Sequence, residues 1–141
     1  MQLKLLILGA LAPIALCSPA MALDAWVMTT ERGLPVATVE RADGTLRVIC
    51  DPDRVFGPTS NGAVAARLGK DDSPTMIVFL ARSGEQARLP VKNGMATQAA
   101  ADPTEWTKMI AILRAGGEFA VVTSLDSVKF ETPPLPELDC D

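Results

Sequence analysis

Short β-forming runs bounded by turn residues fill most of this chain, two of them with clear alternation of polar and apolar positions, and one longer stretch has a helical period instead. In Thr45 to Cys50, Leu46, Val48 and Cys50 alternate with Thr45, Arg47 and Ile49, and in Ser127 to Thr132, Val128 and Phe130 alternate with Ser127, Lys129 and Glu131. Side chains on a strand point to opposite faces in turn, so both stretches read as strands with one buried face, and Cys50 points inward. Further strands are read over Ala25 to Thr29, Val36 to Arg41, Val64 to Leu68, Gln86 to Lys92, Met95 to Ala99 and Glu118 to Ser124, set off by turn residues. Thr75 to Leu80 (TMIVFL) is continuously apolar, which predicts a strand buried on both faces. Asp43-Gly44 and Asn93-Gly94 between such runs are hairpin signals.

The longer stretch is Asp102 to Gly117, DPTEWTKMIAILRAGG. Asp102 suits the N-cap, Pro103 the first helical position, and Glu105 the third residue of a capping-box-like start. Trp106, Met109, Ile110 and Leu113 fall at i, i+3, i+4 and i+7, one apolar face of a helix spanning about 103–115 that would lie over the open face or end of a sheet. Gly116 or Gly117 provides the left-handed stop. Eight or nine short strands joined by hairpin turns, with one helix, predict a mainly β fold: an antiparallel sandwich or partly closed barrel.

Residues 1–22 add an address. Lys4, the apolar run Leu5 to Leu16 and Ala20-Met21-Ala22 form a secretory signal with its cleavage site, too short for a membrane span. The rival reading is a lipoprotein signal anchored through Cys17. Cleavage after Ala22 leaves residues 23–141 as one β-rich domain in the periplasm or outside the cell. Losing Lys4 from 13 basic side chains leaves 12 against 17 acidic ones, a net charge of −5. That balance disfavours nucleic acid and anionic membranes as partners and leaves proteins or cationic peptides.

In an oxidising compartment the remaining cysteines, Cys50 and Cys140, are expected to pair as a disulfide. Asp51 to Gly62, with Pro52, Gly57, Pro58 and Asn61, reads as the longest loop, and Arg54, Val55 and Phe56 within it form a candidate interaction site. The competing reading folds Val55 and Phe56 down as a cap on the sandwich end. Pro133, Pro134 and Pro136 end strand pairing, after which Leu135 and Leu138 tuck under the core.

The chain contains no histidine and no tyrosine, so Ser-His-Asp triads, Cys-His pairs and histidine metal sites are excluded. Met28, Met76, Met95 and Met109 lack metal-binding spacing and read as core filling. Asp51-Pro52-Asp53 lacks the later ligands of a calcium loop, and Asp71-Asp72 beside Lys70 reads as a solvated turn tip. No cofactor is implied. The remaining enzymatic alternative is a hydrolase using carboxylates alone, from Asp51, Asp53 or Glu85.

Trp26, the strand ending at Cys50, the helix bearing Trp106, the strand SVKFET and the apolar tail closing on Cys140 together resemble small exported proteobacterial proteins, the invasion-associated locus B type and the type VI secretion accessory type (VasI or TagO). The resemblance implies an exported, non-enzymatic β-domain acting through contact with another envelope or secretion protein, or as an inhibitor, and supplies no catalytic residues.

Overall fold

A computed structural model describes residues 22–51, 53–55 and 61–138. The signal segment up to Met21, with Cys17, and the residues Phe56 and Cys140 lie outside the described residues. The strands are β1 (Val27–Glu31), β2 (Leu34–Arg41), β3 (Gly44–Cys50), β4 (Gly62–Leu68), β5 (Met76–Ala81), β6 (Gln86–Pro90), β7 (Ala96–Thr97), β8 (Gly117–Val122) and β9 (Ser127–Thr132), with the helix α1 (Pro103–Ala115) between β7 and β8. They form two antiparallel sheets, ordered β1-β2-β3-β4-β7 and β6-β5-β8-β9. The architecture is a β-sandwich with one helix, the first of the two forms that the pattern allowed.

Period-two alternation sets the core. In β3 and β4, Leu46, Val48, Cys50, Val64 and Leu68 are buried, whereas Thr45, Arg47, Ile49, Ala63 and Ala65 remain half-buried on the other face. The second sheet contributes Phe79, Phe119 and Phe130, whose ring centroids are spaced 6.4 and 5.6 Å along the row. Gly44 lets the sheets approach closely: an added Cβ would meet Val128 and Leu68 side-chain atoms at 3.2 Å. The Asp43-Gly44 hairpin therefore forms as expected, with Arg41 paired to Gly44, but its glycine serves packing. Left-handed backbone is found at other turns, Arg32-Gly33 and Asn93-Gly94.

Several elements depart from the sequence reading. β5 is buried on one face only, with Met76 and Leu80 exposed, because α1 packs beside it, mostly on β6, and does not lie over its outer face. The Asn93-Gly94 turn forms, yet β7 pairs with β4 of the opposite sheet and is two residues long. Of the four methionines read as core, Met109 is buried and Met28, Met76 and Met95 are exposed. Asp71, read as part of a solvated tip, is buried, its Oδ1 accepting from Ser73 N–H at 3.3 Å while Asp72 remains exposed.

The helix begins as expected: Asp102 Oδ1 accepts from Thr104 N–H at 2.8 Å and Glu105 N–H at 3.2 Å. Glu105 does not turn back to the cap. Its carboxylate accepts from Arg88 N–H at 2.7 Å on the edge of β6 and from Lys108 Nζ at 2.9 Å. The buried stripe is Trp106, Met109, Ile112 and Leu113, with Ile110 half-buried, since a helix wedged beside β6 presents a slightly rotated face. The helix thus closes the side of the sandwich along β6 and β4, where Trp106 stands over Gly62. Gly116 ends it at φ 67°, and a Cβ there would lie 2.7 Å from Pro134 N, so the tail crosses directly beneath the helix end. Leu135 N–H donates to Leu113 O at 2.9 Å, and Leu135 and Leu138 are buried as expected.

These contacts carry an acid-sensitivity prediction. The Lys108 ammonium, then Arg88 N–H, hold the Glu105 carboxyl below its ordinary 4.5, and Lys70 and Ser127 N–H groups hold Asp126 below 3.8. A carboxyl with a depressed folded-state pKa stabilises the fold fully above its unfolded value and loses that contribution as pH falls through the folded value. Denaturant midpoints should therefore drop below pH 4.5, and a Glu105→Gln, Asp126→Asn double variant should show a shallower acid decline. An equal decline in both proteins would assign acid sensitivity to other carboxyls.

Candidate functional site

The outer face of the five-stranded sheet carries two cavities. Antiparallel register aligns its side chains in rows: Thr29, Val36, Ile49, Ala63 and Thr97 across all five strands, with Val27, Thr38, Arg47 and Ala65 beside them, then Glu40, Thr45 and Arg67. Thr29, Ala63, Ala65 and Thr97 keep the floor low between the longer Glu40, Arg47 and Arg67, which leaves a trough.

Two cavities divide the trough. One of about 770 Å³ lies over Val27, Thr29, Thr38, Thr45 and Ala65 and is rimmed by Glu40, Arg67 and Asp72. The other, of about 480 Å³, lies over Leu34, Val36, Ile49, Ala63 and Met95. Glu31 and Arg47 border both and are joined by an ion pair, which forms a charged partition between a polar end and an apolar end. The pair is half-exposed and so contributes little stability.

The residues singled out from sequence distribute around this trough. Asp51, buried, borders the apolar end, and its Oδ1 accepts from Val55 N–H at 2.7 Å while its backbone N–H donates to Asn61 O at 2.9 Å. These bonds close the mouth of the 51–62 loop, a structural use of that carboxylate. Arg54 has φ 55°, and Val55 is 72% exposed, so Val55 does not fold down as a cap. Asp53 is exposed, and Glu85 sits in the β5–β6 turn of the other sheet. Among the described residues no group of three His, Cys, Asp or Glu side chains could hold a metal ion.

Sequence reasoning located the loop beside the trough and missed the trough itself. Its signal was present in the wet positions of β3 and β4, where Thr45, Ile49, Ala63 and Ala65 are smaller or more apolar than a freely solvated face requires.

The fold is a mainly β, two-sheet domain with two cavities over the outer face of its five-stranded sheet. No family model, curated protein or solved structure matches the chain. Among the described residues no helix is long and apolar enough to cross a membrane.

Proposed function

We propose that this is a non-enzymatic periplasmic binding or accessory domain that acts by protein–protein contact, with a cell-envelope, secretion or inhibitory role. The observation that carries the proposal is the trough, whose apolar end around Ile49 and Met95 adjoins the Glu31–Arg47 pair. An apolar anchor beside a few polar groups is the composition by which protein interfaces gain affinity and register. Val55 extends exposed apolar surface at the loop that borders the same end.

Export and oxidation belong to this reading. Cys50 is fully buried and is not a free thiol, and the buried Leu138 brings the tail back to the core two residues before Cys140. Both observations support pairing of Cys50 with Cys140 in an oxidising compartment.

Cross-linking in periplasm, followed by comparison of parent and Met95→Asp, tests the proposal. Met95 is partly exposed, so the substitution should leave stability within about 0.5 kcal/mol, as for most surface changes. Its charge at the apolar end should reduce recovery of the specific partner about tenfold, a loss near 1.4 kcal/mol. Undiminished recovery would move the contact off the trough. Because Asp51 borders the cavity, a carboxylate hydrolase is the second reading. Glycan turnover abolished by Asp51→Asn, with no specific partner recovered, would favour it.

A further inference from the structure

The four sheet edges are not treated alike. An edge strand exposes a row of unpaired N–H and C=O groups, and proteins usually blunt such edges with helices, charges, prolines or very short strands. On β6, the Glu105 carboxylate accepts from Arg88 N–H at 2.7 Å, α1 lies alongside, and Pro90 ends the strand. On β9, Asp24 does the same work twice: its N–H donates to Glu131 O at 2.7 Å and its carboxylate accepts from Glu131 N–H at 3.0 Å. Trp26 Nε1 then donates to Pro133 O at 3.0 Å just past that strand. β7 offers only two residues.

β1 has none of these guards among the described residues. All five of its residues, Val-Met-Thr-Thr-Glu, are exposed, with Val27 at 58% and Met28 at 45%. It contains no proline or lysine, and its single charge, Glu31, is already paired with Arg47 within the same sheet. Among the described residues, specific contacts guard β6 and β9, β7 is too short to offer much edge, and β1, which has the highest content of β-forming, uncharged side chains, is left open.

We infer that β1 is a strand-addition edge whose occupant is β1 of a second copy of this chain, paired antiparallel about a two-fold axis at Thr29. That register sets Val27 opposite Glu31 of the second copy, Met28 opposite Thr30, and Thr29 opposite itself. No like charges face each other, so the strand is complementary to itself, as a two-fold interface requires. A foreign peptide would be selected by pockets for alternate side chains, and among the described residues no strand lies beyond β1 in its sheet to build them. Pairing joins the two five-stranded sheets into one of ten strands and runs the two troughs together across Val27 and Thr29. The inference does not depend on what the trough binds.

The axis position gives the test. Thr29 is exposed, so Thr29→Lys and Thr29→Glu should leave the melting temperature, taken at dilutions where the parent is also monomeric, close to that of the parent. Each places like charges directly opposite one another and should weaken self-association about tenfold or more, read by sedimentation of the purified exported protein. An equimolar mixture of the two variants should recover the parental dimer as a heterodimer. Three results would each overturn the assignment: a parent that sediments as a monomer at about 100 µM, well above a micromolar dissociation constant; variants that dimerise as the parent does; or a mixture that stays monomeric. In the first case, protection of β1 amides by another envelope protein would identify a heterologous strand as the occupant.

Discussion

Trp106→Ala should destabilise the protein by about 3–5 kcal/mol, the range for truncating a buried aromatic. Trp106 is 5% exposed and sits in the first turns of α1, with its six-membered ring directly above Gly62 of β4. A Cβ on Gly62 would lie 2.8 Å from Trp106 Cζ2, so the indole packs directly on the glycine and its truncation would open a cavity there. Because α1 also supplies the Glu105 guard on β6 and the Leu113 carbonyl that receives Leu135 N–H, loosening the indole should loosen the sandwich side and the tail together. In thermal unfolding the loss corresponds to a fall on the order of 10–20 °C for a domain of this size. Ile110→Ala, at the half-buried position of the same helix, should cost clearly less. Equal midpoints for Trp106→Ala and the parent would show that α1 does not close the core.

Replacing Cys50 and Cys140 together by alanine should cost a comparable amount, about 4–5 kcal/mol, if the two are bonded as proposed. The loop they would close spans 140 − 50 = 90 positions, and the chain-entropy account makes long loops the most stabilising. Set against a typical domain stability of about 5–15 kcal/mol, the loss would leave the variant marginal near body temperature. Titration of the unfolded exported protein with a thiol reagent provides the independent check: no reactive thiol from the pair before reduction, two after it. Two reactive thiols before reduction would remove the disulfide, and with it the expected stability loss. The single Cys140→Ser variant separates the bond from core packing, since Cys50 is fully buried and its own replacement also changes the interior.

The two tests meet at one place in the fold. Cys50 pairs with Gly62 in the β3–β4 register, and Gly62 is the residue beneath Trp106, so the proposed disulfide and the indole bear on adjacent points of the same strand pair. A cycle of Trp106→Ala with the cysteine pair should accordingly be non-additive.

How much of this could be read from the chain alone differs by element. Alternation in β3 and β9 and the capped, amphipathic segment of α1 determined strand, strand and helix, because period and capping are local properties carried by the residues themselves. The absence of histidine and tyrosine likewise excluded whole chemistries without any structure. Partner choice was not local. Asn93-Gly94 fixes a turn but says nothing of whether Ala96-Thr97 joins β6 or crosses to β4, and TMIVFL is equally apolar whether one face or both are covered. Glu105 was legible as a helix-start residue, yet only the proximity of β6 turned its carboxylate toward Arg88. The trough and the unguarded edge of β1 belong to this second kind, since they arise from which strands end up adjacent and which end up last. Backbone hydrogen bonding between strands is the same for every sequence, so the residues determine that β1 is a strand, and only the assembled sheets decide that it lies at an open edge.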